Sequence, residues 1–173
     1  EVTSATSWGQ IVRLLGGHPL ALSCVAAARQ GASLEAVASA LMEQAPGLAS
    51  GEGRFRNRAP DLALERLARS LGQPLGEHLA DLGIFVGGFI QNLGPEVMGL
   101  QREDWIRQSA PLVEAGLIWD EPLTMMTIPM VHLHPALQRW AAQHLTGQRR
   151  SELTVAHYSH YFGFVTWIVQ NST

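Results

Sequence analysis

The stretch from Leu112 to Leu145, LVEAGLIWDEPLTMMTIPMVHLHPALQRWAAQHL, constrains this chain most, because its punctuation suits the end of a helix, a two-stranded wing and the start of another helix. Ile106, Ala110, Val113 and Leu117 recur at roughly helical spacing, and Gly116 supplies the residue that tolerates positive φ where a helix stops. Leu117-Ile118-Trp119 and Met130-Val131-His132-Leu133 are short β-prone runs. Asp120-Glu121-Pro122 and a Thr/Met segment separate them, so a hairpin with a longer loop is predicted. Pro135 suits the first position of the next helix, where its missing N–H costs nothing, and Leu137, Trp140, Ala141 and Leu145 share one face. His134 is thereby predicted to be the N-cap.

A helix N-terminus gathers unpaired N–H groups and the positive end of the helix dipole. An imidazole there can add a donor toward an anion, and a phosphate is the natural candidate. On local grounds alone, a histidine that simply caps its helix or fills the hairpin corner is the simpler reading.

With 173 residues, 46% of them hydrophobic and 16% charged, the chain has enough apolar material for one domain or two small ones. A formal net charge of −3 gives no overall attraction to nucleic acid or to an anionic membrane. The single cysteine, Cys24, sits among alanine and valine, cannot form an internal disulfide and is expected in the core rather than as a nucleophile. Without a second cysteine or a signal peptide, a cytoplasmic location is expected. All twelve basic residues are arginine. The absence of lysine removes a G-x-x-x-x-G-K-[ST] phosphate loop, a Schiff-base lysine and a lysine general base. Neither a nucleophile elbow nor an H-E-x-x-H zinc motif is present. No catalytic residues are assigned, and no enzymatic activity is expected of these residues alone.

In chain order, Trp8, Ile11, Val12 and Leu15 form one helical face that ends at Gly16-Gly17. Pro19 opens an alanine-rich helix through Leu20, Cys24 and Ala27. Ser33 is an N-cap for a third helix with Leu34, Val37, Ala38, Leu41 and Met42 buried. From Ala45 to Pro60, Pro46, Gly47, Gly51, Gly53 and Pro60 interrupt any regular element while Arg54, Arg56 and Arg58 alternate with other residues, which reads as a solvated linker. Leu62, Leu64, Leu67 and Leu71 predict a helix ended by Gly72. Leu75, Leu79, Leu82 and Val86 predict another, ended by Gly87-Gly88. Phe89 then turns back to the core, Pro95 to Leu100 is a short helix, and Asp104 to Ala115 is the helix that feeds the hairpin. From Ser151 the chain is helical again. Val155, Tyr158, Tyr161, Phe162, Val165, Trp167, Ile168 and Val169 make it apolar on more than one side, yet the run is too short to span a membrane. Such a helix calls for a further partner. Together with a first residue other than Met, it suggests a fragment cut before the next helix of an array.

Several of these motifs resemble, in order, a known family. Gly16-Gly17-His18-Pro19-Leu20-Ala21-Leu22 looks like the Gly-x-Pro-Leu-Ala-Leu signature that opens the helical subdomain of NB-ARC and related STAND signalling ATPases. Leu82-Gly83-Ile84-Phe85-Val86-Gly87-Gly88-Phe89 resembles the L-x-x-F-x-G-G-F segment of the following winged-helix subdomain, particularly in bacterial regulators with tetratricopeptide repeats. Leu112 to Ile118 is similar to that subdomain's third helix, and Leu133-His134-Pro135-Ala136-Leu137 falls where the family carries Met-His-Asp. Ala156-His157-Tyr158-Ser159-His160-Tyr161-Phe162 looks like the helix that leads into the repeats.

The resemblance implies a mainly α fold: a small helical subdomain at 1–45, a linker at 46–60, a winged-helix subdomain with a short β-hairpin at 61–147, and the first helix of an α-helical repeat array at 148–173. It implies a regulatory part of a nucleotide-controlled switch that closes over ADP or ATP bound to an upstream P-loop domain. Pro19 would lie against the adenine, and His134 would contact the β-phosphate of ADP. ADP would hold the closed state, and ATP an open state that forms a homo-oligomer. The implied partners are the upstream domain, downstream helical repeats of the same chain and other proteins, with neither nucleic acid nor membrane among them. Pro135 departs from the motif's Asp and removes both a carboxylate and a backbone donor.

Other readings stay open from sequence. The winged helix could read DNA through Asp104 to Ala115, although Arg107 is that helix's one cation. The pairs His132 with His134 and His157 with His160 could begin a metal site, but no cysteine or carboxylate cluster completes either, and no metal ligand is assigned. A helical interaction adaptor without nucleotide control is the remaining alternative.

Overall fold

A computed structural model describes residues 2–29, 31–44, 58–122 and 128–171. Most of the expected linker, including Arg54 and Arg56, lies outside them, as does the tip of the hairpin loop at 123–127. The fold is mainly helical with one small antiparallel sheet, and the chain divides into two compact units.

The first unit contains Glu1–Gly72 and Pro111–Gly116. Its helices are α1 (Val2–Leu14), α2 (Pro19–Ala27), α3 (Leu34–Gln44) and α4 (Ala59–Ser70), with α1 packed on α3 and α2 on α4. Gly16 and Gly17 carry φ of 59° and 67°, a left-handed turn that a Cβ would disfavour and that lets α2 start directly behind α1. Ser33 caps α3, its Oγ accepting from the Ala36 N–H at 3.2 Å. The core takes Ile11, Leu15, Cys24, Val25, Val37, Leu41, Leu64 and Leu67. Met42, expected in the buried stripe, is exposed. Pro60 does not break the chain but occupies the first turn of α4, where an absent N–H removes no intrahelical bond.

Burial pushes the Cys24 thiol up to about 12. Its thiolate fraction at neutral pH is then roughly a thousandfold below that of a free cysteine. Ellman's reagent is expected to label the native protein only as the first unit opens. Labelling at the rate of the denatured chain would show that Cys24 is accessible.

The second unit contains Gln73–Ala110 and Leu117–Thr173. Helix α5 (Leu75–His78) runs into a 3-10 segment (Leu79–Ile84), followed by β1 (Gly88–Ile90), α6 (Leu93–Met98) and α7 (Arg102–Gln108). The chain then passes through α8 (Ala110–Glu114), all but its first residue in the first unit, and returns with β2 (Ile118–Glu121), β3 (Met130–Leu133), α9 (Pro135–His144) and α10 (Gly147–Asn171). The hairpin is where the sequence put it. β3 lies between β1 and β2, Phe89 opposite Val131 and Trp119 opposite His132.

Three expectations need correction. The helix predicted through Leu75, Leu79, Leu82 and Val86 turns into a 3-10 segment, and Val86 is 90% exposed. At three residues per turn, Leu79, Leu82 and Phe85 align and are all buried, so the tighter period replaces Val86 by Phe85. The turn expected at Phe89 is a third strand, which buries Phe89 against Phe85 (ring centroids 4.7 Å apart) and Trp105 (5.5 Å). The single helix from Asp104 to Ala115 is interrupted at Ser109, because Pro111 offers no N–H and crowds the preceding turn. Across the break the buried residues keep helical spacing, one position away from the expected stripe: Trp105, Ser109, Leu112 and Ala115 are buried, while Ile106 and Val113 point outward.

Candidate functional site

Of the two residues singled out for a ligand, Pro19 belongs to the first unit and His134 to the second. His134 is extended (φ −62°, ψ 134°), and its Nδ1 accepts from the Ala136 N–H at 3.1 Å, so it is the N-cap of α9. Its own N–H donates to the Leu117 carbonyl at 2.8 Å, which ties the helix start to the base of the hairpin. A ring nitrogen that accepts carries no proton, so in the neutral ring the proton sits on Nε2, directed away from the cap.

His18 does the same for α2. Its Nδ1 accepts from the Ala21 N–H at 3.4 Å, and Pro19 follows as an exposed first helical residue. The His-Pro dipeptide shared with the start of α9 is the local signal for this cap at His18, which the helical periodicity alone does not mark.

These caps define what each terminus can offer an anion. At α9, Pro135 has no N–H, Ala136 donates to His134 Nδ1, and Gln138 donates to the His134 carbonyl at 3.0 Å. The Leu137 N–H and the His134 Nε2–H are left as donors, fewer than a helix N-terminus with a non-proline first residue would have. At α2, Leu22 donates to the His18 carbonyl at 3.0 Å, which leaves the exposed Pro19 ring as an apolar surface rather than a polar contact. Taken separately, the α9 terminus can offer an anion one imidazole donor with little backbone help, and the α2 terminus offers one flat apolar face.

The remaining histidines of the sequence-level metal pairs lie apart in their contacts. His132 stacks on Trp119 (5.5 Å, 12° between planes) and meets Glu121 at 2.8 Å across the hairpin. His160 pairs with Glu96 at 3.3 Å. His157 packs edge-on against Phe85 and Tyr161, with centroids 5.5 and 4.5 Å away. Among the described residues, no group of three or more His, Cys, Asp or Glu is placed to hold a metal ion.

Burial holds His157 below the ordinary histidine pKa, because the charged ring would lose hydration. A histidine whose folded pKa is depressed contributes stability that is present above the unfolded value near 6.5 and is lost as pH falls through the folded value. The second unit is therefore expected to weaken below about pH 6.5, and His157→Phe to flatten that part of the profile. Urea midpoints at pH 5 and 7.5 check this, and identical pH dependence in both proteins would remove His157 as the cause.

A polar cluster that no motif announced lies in the second unit. Asp81, 3% exposed in the 3-10 segment, receives Arg149 through Nε at 3.2 and 3.1 Å and through Nη2 at 2.6 Å. Arg149 Nη2 also donates to the Met98 carbonyl at 3.0 Å, and His78 Nδ1 lies 2.7 Å from Asp81 Oδ2. The bond to Asp81 raises the arginine's pKa further, so the guanidinium stays charged. Its contacts join α10 to the 3-10 segment and α6, so the cluster ties three elements of the second unit together. No described helix is long and apolar enough to cross a membrane. Compared with protein-family models, with curated proteins and with solved structures, the chain has no match.

Proposed function

We propose that the chain is the regulatory part of a STAND-type, nucleotide-controlled switch, whose helical and winged-helix subdomains close over ADP held by an upstream P-loop domain. The observation that carries the reading is the cap of α9. A histidine stands at the end of a hairpin, with Nδ1 committed to its own helix and Nε2 left to donate. The strand order supports it: β1 precedes three short helices, α6, α7 and α8, and pairs with the returning strand of the hairpin, an order compatible with a winged helix. In this reading α10 is the first helix of a repeat array, and Pro19 lies on the adenine.

ADP, when bound, supplies the difference in affinity that holds the closed state. This chain contributes the His134 donor and the Pro19 face, while catalysis and most phosphate contacts fall to the upstream domain. The DNA-reading alternative is disfavoured, because Arg107 of α7 is paired with Asp104 of the same helix.

The test is ADP affinity by calorimetry in a polypeptide extended upstream through the P-loop domain. His134→Ala is expected to weaken binding by about 1.5 to 3 kcal/mol, the worth of a hydrogen bond to a charged group, and Pro19→Ala by less. Absence of binding, or wild-type affinity in both variants, overturns the reading in favour of an interaction adaptor.

A further inference from the structure

The helices of the first unit leave a cleft of about 240 Å³ between the middle of α1, the C-terminal end of α2 and the start of α3. Trp8, Val25, Ala26, Leu34 and Val37 line it, with Arg29 the one charged residue among them. Val25 and Val37 are buried, whereas Trp8 is 37% exposed, so its indole is partly open. Arg29 is held in place by its Nε, which donates to the Ala32 carbonyl at 2.8 Å. Its terminal nitrogens have no hydrogen-bond partner among the described residues. Glu35, the neighbouring carboxylate, accepts instead from Ser7 Oγ at 2.9 Å. A guanidinium fixed at one nitrogen keeps the rest of its planar fork ready for an anion.

From this geometry we propose that the cleft binds a small aromatic carboxylate, its ring against Trp8 and the two valines and its carboxylate on Arg29. Size and charge select that ligand. The cleft is smaller than the roughly 300 to 1,000 Å³ of drug-sized sites, so one ring with a short acidic tail fills it. A helix, about 10 Å across, is too wide to enter. An aromatic side chain of a protein segment would cover the apolar lining and leave the guanidinium unmet, because it carries no anion beside its ring. In a free arylacetate, ring and anion are joined by a short tail, and both halves of the cleft are satisfied at once. The site uses the end of α2 remote from Pro19 and involves no nucleotide, so it stands or falls independently of the switch.

Titration of the 173-residue chain with phenylacetate and with phenylacetamide, which has the same shape and no charge, tests it. Binding is followed by NMR at the Val25 and Val37 backbone amides. Phenylacetate is expected to saturate these shifts with a dissociation constant of about 1 mM or tighter, and the amide to bind at least about 10-fold more weakly. Arg29→Gln should weaken phenylacetate by at least about 10-fold while leaving the amide within about twofold. Trp8→Ala should weaken both ligands by at least about threefold. Circular dichroism verifies that each variant retains the wild-type helix content. Absence of saturation by about 10 mM phenylacetate, equal affinity for acid and amide, or wild-type phenylacetate affinity in either variant overturns the proposal. The first two results depend on no variant, and equal affinity would mark the cleft as a seat for any ring, such as an aromatic side chain of another protein.

Discussion

Arg149→Met is expected to destabilise the second unit by about 3 kcal/mol, because it strands a carboxylate that the fold has removed from water. Asp81 is nearly inaccessible and takes three of its short contacts from this one guanidinium, leaving His78 as its remaining side-chain partner. The reverse truncation should cost less. In Asp81→Leu the arginine is already one-third exposed, can reach water, and keeps the Met98 carbonyl and Glu152. The double variant Asp81→Leu/Arg149→Met should lie closer to wild type than Arg149→Met alone, since no charge is then left buried. Urea unfolding of the four proteins at one pH measures this cycle. A cost below about 1 kcal/mol for Arg149→Met would reduce the cluster to an ordinary surface pair.

Gly83→Ala is the second large effect expected. A methyl at this position would lie 2.6 Å from the Ala142 nitrogen and 2.7 Å from the Ala141 carbonyl carbon, both backbone atoms of α9. No rotamer relieves such a contact, so the 3-10 segment and α9 must separate where they pack most closely. Overpacking of this kind costs about 3 kcal/mol, at the upper end of the usual range because neither wall is a movable side chain. Gly163→Ala is the internal comparison. It lies within α10 with open space around the added carbon, and should stabilise the protein by up to about 1 kcal/mol through helix propensity and a less flexible unfolded chain. Equal behaviour of the two variants would show that α9 does not approach Gly83 as closely as described.

Gly83 also shows where sequence reading stopped. Its place in Leu82-Gly83-Ile84-Phe85 suggested a family likeness, but the reason glycine is needed lies in a helix more than fifty residues later, and local periodicity cannot register it. Asp81 is similar. Between Leu79 and Leu82 it reads as a solvated residue on an apolar helix, and nothing near it in sequence announces Arg149.

Local chemistry settles those events whose cause lies within a few residues. His134 and Pro135 start α9 because proline at the first helical position and an acceptor before it are a short-range solution to unpaired N–H groups. Gly16, Gly17 and Gly116 stop or turn the chain because only glycine takes positive φ cheaply, and Ser33 caps α3 for the same local reason as His134. The two hairpin strands and the buried Cys24 were legible too, from β-propensity and from small apolar neighbours. Tertiary structure alone decided the rest. Pairing with β3 turned Gly88–Ile90 into a strand, and burial of Phe85 beside Phe89 favoured a 3-10 period that sends Val86 into solvent. Packing of Trp105 and Leu112 rotated the faces on either side of Ser109 by one residue, leaving Ile106 and Val113 outside. Each of these choices depends on a partner far along the chain, and its free energy exists only once that partner is in place.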